Sequence, residues 1–198
     1  MNILVDLLPI TVEIDNKKYE INSDFRTSIL FELLMQDDSI GEEEKILMAL
    51  QLYYPVIPVD INLAIEKMLW FYRCGKDIKK SKGNSKGKST TKIYSFEYDD
   101  DYIYAAFMDQ YNIDLQDIEY LHWWKFKAMF NSLKDDIKIV KIMEYRSIDL
   151  SKIKDKEQKA YYKRMKDLYE IPISKDEDKK LKEIEEALLN GKLPNNLI

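Results

Sequence analysis

Helical patterning dominates this 198-residue sequence and limits what the chain can fold into. After residue 22, apolar side chains recur three and four residues apart, which places them on one face of an α-helix. Residues that favour helix starts precede several of these stretches, among them Asp24 and Asp60. Residues that end helices follow others, as at Pro55 and Gly75. We therefore expect a mainly α-helical protein.

The same patterning predicts where the helices begin and end. The predicted helices run from Ser23 or Asp24 to Met35, from a capping box at Ser39–Glu42 to Tyr53, from Asp60 to Cys74, from Asp99 to Gln110, from Asp114 or Asp117 to Leu133, over 136–146, from Ser151 towards Pro172, and from Ser174 to Asn190. The predicted buried faces include Ile46, Ala49, Leu50 and Tyr53 in the second helix and Ile61, Ile65, Met68, Leu69 and Tyr72 in the third.

Residues 10–21 have a different pattern. Ile10, Val12 and Ile14 alternate with polar residues, and Asp15-Asn16-Lys17 interrupts the alternation. Such a pattern predicts a β-hairpin. A lone hairpin is barely stable in water, so we expect it to pack on the helices.

Two further segments complete the expected organisation. Residues 76–92 carry seven Lys against one Asp and predict a basic, flexible surface loop. We expect one mainly helical domain over 1–173, followed by a C-terminal helix and tail over 174–198.

Composition excludes several classes of protein. A content of 45% hydrophobic residues is too high for a disordered chain. One Cys and one His supply neither a disulfide nor the four ligands of a typical zinc site. A net charge of −5 makes a nucleic acid partner unexpected. We expect neither a membrane span nor a targeting segment, and therefore a cytoplasmic protein.

The segment Gly83–Thr90 resembles a phosphate-binding loop. Its spacing departs from that motif because Lys82 stands where the first glycine belongs. A predicted helix precedes it, whereas the motif follows a strand. We prefer a solvated basic loop to a nucleotide site, and we expect no cofactor.

Three other features have both a chemical and a structural interpretation. His122 lies four residues from Ile118 and from Phe126, which favours a hydrogen-bonded core histidine over a general base. The lone Cys74 is more typical of a small buried residue than of a nucleophile.

The acidic cluster Glu97, Asp99, Asp100 and Asp101 would suit a cation or a helix start. We prefer the helix start because the spacing of a Ca²⁺ loop is missing. The sequence thus predicts no catalytic residue and no metal site.

Candidate partner-binding residues lie in two places. Trp123 and Trp124 point about 100° apart on a helix, so at least one of them is expected to reach a second packed layer or a partner. Leu181, Ile184 and Leu188 form a narrow apolar stripe on the predicted last helix. That stripe packs either on its own domain or on a partner.

Several longer strings together resemble one family of proteins. These strings are Ser23–Ile29, Tyr53–Pro58, Leu69–Gly75, Tyr111–Leu115 and Leu121–Leu133. They are similar to small proteins of tailed bacteriophages that infect low-GC, Gram-positive bacteria, whose genes lie in the tail module near the tape-measure gene. The resemblance covers residues 10 to 173.

This resemblance implies a role in building a long, non-contractile tail. It implies a non-enzymatic tail assembly chaperone that forms a homo-oligomer in the host cytoplasm and is absent from the mature virion. Its expected partners are the long, apolar, helical tape-measure protein and the major tail protein. A structural tail component and a host-directed interaction protein are the alternatives.

Overall fold

A computed structural model describes residues 2–76 and 92–172 of the chain. The predicted hairpin is confirmed, with β1 at Thr11–Ile14 antiparallel to β2 at Lys17–Glu20. Asp15 and Asn16 both have positive φ, as a two-residue type I′ turn requires. Val12 and Ile14 are buried as expected, but Ile10, which precedes β1, is 61% exposed.

Seven α-helices in the described residues confirm the mainly helical fold. Their bounds are α1 Phe25–Gln36, α2 Glu42–Tyr53, α3 Ile61–Tyr72, α4 Asp100–Tyr111, α5 Trp123–Phe130, α6 Lys138–Ser147 and α7 Lys156–Leu168, with a short 3-10 turn at Leu150–Lys152. Asp24 and Asp60 cap α1 and α3 as predicted, because their carboxylates accept hydrogen bonds from free backbone N–H groups.

The start of α2 departs from the prediction. Gly41 is its N-cap, and no side chain caps it, because the Ser39 hydroxyl instead donates to Asp37 at 2.6 Å. Ile46 is 43% exposed, whereas the neighbouring Lys45 is buried. The Lys45 ammonium donates to the carbonyl of Met35 at 3.3 Å, near the negative end of α1.

The inner face of α3 is shifted from the predicted one. Ala64, Met68 and Phe71 are its buried residues, whereas Ile61 is 43% exposed. Ile61 lies in the first turn of α3, two residues after the exposed Val59.

The long helix predicted to reach Leu133 is wrong in its first half. Helix α4 ends at Tyr111, its C-cap Asn112 has left-handed geometry, and α5 begins only at Trp123. Tertiary hydrogen bonds replace helical ones in between: the N–H of Phe25 donates to Leu121 O, and the N–H of Trp123 donates to Ser23 O. We call residues 112–121 the connecting segment.

The last described helix also begins later than predicted. Ser151 lies in the 3-10 turn, where its N–H and hydroxyl donate to Asp149. Asp155 caps α7 by accepting from the N–H of Gln158. The basic loop inferred over 76–92, apart from its two ends, and the predicted helix over 174–198 lie outside the described residues, as does Gly83–Thr90.

Aromatic rings form the centre of the core. The ring of Phe126 is fully buried and stacks on Phe25 at 4.9 Å and on Phe107 at 4.8 Å. These three residues lie on α5, α1 and α4, so one continuous aromatic stack joins three helices.

A buried ion pair joins α4 to α6. The guanidinium of Arg146 donates to both carboxylate oxygens of Asp99, at 2.6 and 2.9 Å, and to the carbonyl of Ile93 at 3.1 Å. Asp99 occupies the N-cap position of α4, as the acidic cluster predicted, but its carboxylate makes no cap hydrogen bond to that helix. It accepts instead from the N–H of Ser95 and pairs with Arg146.

Candidate partner-binding cleft

A cleft of about 340 Å³ opens beside the aromatic stack. Helices α1, α4 and α5 and the connecting segment contribute its walls. Its lining residues are Phe25, Arg26, Ile29, Phe96, Asp100, Ile103, Tyr104, Leu115, Gln116 and Phe126. Six of these ten side chains are apolar, so the cleft is suited to apolar groups. We call it the aromatic cleft.

Arg26 fixes the wall that the connecting segment forms. Its guanidinium donates to the carbonyls of Leu115 at 3.0 Å and Ile118 at 2.7 Å, and it pairs with Asp24 at 3.2 Å. The same group lies 4.7 Å from the ring centre of Phe25. The guanidinium of Arg26 thus holds the connecting segment against α1.

Asp114 stabilises a turn in the connecting segment, which forms the same wall. Its carboxylate accepts from the N–H groups of Gln116 and Asp117 and from the hydroxyl of Tyr104 at 3.1 Å. The bond from the Gln116 N–H is the main reason that the pKa of Asp114 lies below its usual value. The wall therefore rests on hydrogen bonds at both of its edges.

Two polar groups of the lining remain exposed at the rim. The carboxylate of Asp100 makes no ion pair with any described residue, and Gln116 is also exposed. An apolar interior with a few polar groups at its edge is the usual composition of a binding pocket. The arrangement is therefore that of a binding site for apolar side chains.

His122 is buried and hydrogen-bonded, as predicted, but it lies at the N-cap of α5 rather than within a helix. Its Nδ1 accepts from the N–H of Trp124 at 3.0 Å, so Nε2 carries the proton and donates to Pro9 O at 3.0 Å. Burial lowers the pKa of His122, which favours this neutral form.

Stability should therefore depend on pH through His122, the only histidine of the chain. Because its folded pKa is lowered, the unfolded chain binds a proton first, and the free energy of unfolding should fall as the pH drops below about 6.5. Urea unfolding of the wild type and of His122→Asn across this interval measures the effect. Asn retains a cap acceptor, so equal slopes for both proteins would contradict the prediction.

Both predicted tryptophans are buried in the core. Trp123 is fully buried and donates its indole N–H to Tyr72 O, while Trp124 is 4% exposed and donates to Phe71 O, both at 2.8 Å. They join α5 to α3 and offer no free surface in this conformation. Partner binding by these two residues stays a prediction that this placement does not favour. Leu181, Ile184 and Leu188 lie outside the described residues.

Cys74 and Gly75 follow α3, which ends at Tyr72 rather than at the predicted Cys74. Gly75 has a φ of +68°, as its predicted place after the helix requires, and a Cβ there would lie 2.8 Å from the Trp124 ring. Cys74 is half-buried, and burial raises the pKa of its thiol, so the structure gives no sign of an activated nucleophile.

Sequence reasoning did not find the aromatic cleft. Its residues come from four separate segments and form no motif, and the connecting segment was predicted as helix. The sequence pattern does place Ile29 and Ile103 among regularly spaced apolar residues, but periodicity alone does not distinguish a cleft wall from the core. In the described residues, no helix has the length and apolarity to cross a bilayer, and no three acidic, His or Cys side chains are grouped to hold a metal.

Most of the chain matches a known protein family. The model of the family described as "Bacteriophage Gp15 protein" matches residues 4–171. No curated protein and no solved structure matches the chain.

Proposed function

Because the chain belongs to the bacteriophage Gp15 protein family, we propose that it is a tail assembly chaperone that binds the tape-measure protein. The match shows that the chain is a bacteriophage protein. The proposal adds the stage of phage assembly at which it acts and the partner that it binds. It takes both from the resemblance to tail-module proteins described above. In this proposal the protein works in the host cytoplasm by binding rather than by catalysis, and it is absent from the finished virion.

The aromatic cleft is the observation that carries the proposal. A tape-measure protein is a long apolar helix, and an amphipathic helix binds a groove through side chains spaced three, four and seven residues apart. A volume of about 340 Å³ suits a few such side chains rather than a folded partner. The exposed carboxylate of Asp100 at the rim would attract a basic residue beside them.

A substitution that fills the cleft without touching the core tests the proposal. Gln116 is an exposed rim residue, so Gln116→Trp should occupy the cleft while the fold remains intact. We expect the Kd for a tape-measure fragment to rise at least about tenfold, the equivalent of 1.4 kcal/mol. Isothermal titration calorimetry with a soluble fragment measures this Kd.

Gln51→Trp is the matched control because Gln51 is an exposed glutamine on α2, outside the cleft lining. It should leave the affinity within about twofold of the wild type. A wild type that neither binds the fragment nor keeps the tape-measure protein soluble on co-expression would refute the chaperone role. Normal binding by Gln116→Trp would refute the cleft as the site.

Mass spectrometry of purified phage separates the chaperone from a structural tail component. A chaperone should be missing or present only in traces. Stoichiometric copies would favour a structural role, and the proposal would fail.

A further inference from the structure

Two stretches of the chain each expose several apolar side chains, whereas exposed apolar residues on a protein surface usually occur singly. The first precedes the hairpin and contains Ile3, Leu4, Val5, Leu7 and Ile10, which are 46, 87, 79, 94 and 61% exposed. The second joins α2 to α3 and contains Val56 and Val59, which are 71 and 94% exposed. We call these seven residues the apolar tip.

Hydrogen bonds link the end of the first stretch to the start of the second through the base of the hairpin. The carbonyl of Ile10 accepts from the N–H of Ile21 at 3.0 Å. The next residue, Asn22, donates its N–H to the carbonyl of Tyr53 at 2.8 Å. Tyr53 ends α2 and leads directly into the loop with Val56. The base of the hairpin thus connects both halves of the tip.

The first stretch contains a hydrogen-bonded turn of its own and is anchored to the rest of the protein beside the hairpin. The N–H groups of Val5 and Asp6 donate to the carbonyl of Asn2 in a single turn, and the Asp6 carboxylate accepts from the Asn2 N–H at 2.6 Å. At the other end, the carbonyl of Pro9 accepts from His122. The apolar side chains are therefore presented on an ordered backbone.

Charge is nearly absent from this surface. Between residues 3 and 10 Asp6 is the only charged residue, and residues 54–59 carry none. The chain as a whole has a net charge of −5. Two copies that meet at the tip therefore bring few like charges together.

The exposed area matches what a dimer needs. The seven residues expose on the order of 900 Å², compared with about 800 Å² per partner in a standard interface. The largest apolar patch of an ordinary monomer is about 300–600 Å². We propose that the apolar tip is the surface through which two copies of this protein form a symmetric dimer. This inference is independent of the tape-measure proposal, because the tip and the aromatic cleft share no residues.

Single charges in the tip test the dimer. Sedimentation equilibrium of the full chain should show a species of twice 23.6 kDa at micromolar concentration. Leu7→Asp and Val59→Asp would each place a carboxylate in the buried interface. Each should raise the dimer Kd at least about tenfold, because an unpaired buried charge is costly. Thermal melts of the dissociated variants should show a folded monomer.

Leu168→Asp is the matched control, since Leu168 is 64% exposed at the end of α7 and lies outside the tip. It should dimerise like the wild type. A wild type that stays monomeric at about 100 µM would overturn the proposal, because a standard interface is expected to associate well below that concentration. A dimer that persists in both tip variants would also overturn the proposal. So would a monomeric wild type that binds a different protein, if the tip variants lose that binding.

Discussion

Asp99→Asn should lower the free energy of unfolding by about 3–5 kcal/mol. The side chains of Asp99 and Arg146 are 1 and 7% exposed, so the substitution leaves a guanidinium buried without its counter-charge. The same guanidinium also binds the carbonyls of Ile93 and Tyr169, which come from two further segments of the chain. Losing the pair should therefore loosen four segments at once. Urea unfolding followed by circular dichroism measures the change.

Asp101→Asn provides the control because it removes a carboxylate from the same first turn of α4, where Asp101 is exposed. It should cost at most about 1 kcal/mol. The double variant Asp99→Leu/Arg146→Met should recover only part of the loss: it avoids the buried charge, but the Ser95 N–H and the carbonyls of Ile93 and Tyr169 lose their partners. If Asp99→Asn and Asp101→Asn were equally stable, the buried pair would not support the fold as described.

Trp123→Ala should cost a similar amount, about 3–5 kcal/mol. The indole is fully buried and stacks on Tyr72 and on Phe126, each at 5.7 Å between ring centres. Its removal would leave a cavity between α3 and α5 and would leave the Tyr72 carbonyl with only the weak donor Cys74 Sγ. Chemical unfolding of the purified protein is the appropriate measurement.

Trp123→Phe separates packing from hydrogen bonding. It keeps an aromatic ring but loses the indole N–H, so it should retain a larger part of the stability than the alanine variant. The same experiment tests the sequence-based expectation that Trp123 contacts a partner. A Trp123→Ala protein with unchanged stability and weakened partner binding would favour that expectation over the core role.

The sequence was most informative where a structure depends on neighbouring residues. Asp24 and Asp60 were identified as helix caps because a cap acts within three residues of its own position. The turn at Asp15-Asn16 followed from the same kind of local rule. Ser39 shows the limit of such rules, since Asp37 competes for its hydroxyl and leaves α2 without a side-chain cap.

Distant contacts escaped prediction. The connecting segment was expected to be helical, but Arg26 binds its carbonyls across about 90 positions of sequence. Arg146 and Asp99 are 47 positions apart, and nothing in the sequence pairs them. The aromatic cleft depends on distant contacts between helices and with the connecting segment. The sequence therefore shows its apolar residues but does not show that they line one cleft.

The hydrogen bonds between residues 23–25 and 121–123 have a consequence for the newly made chain. Phe25 cannot complete its stack on Phe126 until about 100 more residues have been synthesised, which takes roughly 5–20 s at 5–20 residues per second. During that interval the apolar faces of α1 and α3 lack their cover from α5. The fold therefore closes late in translation, and a ribosome stalled before residue 123 would hold a nascent chain prone to aggregation.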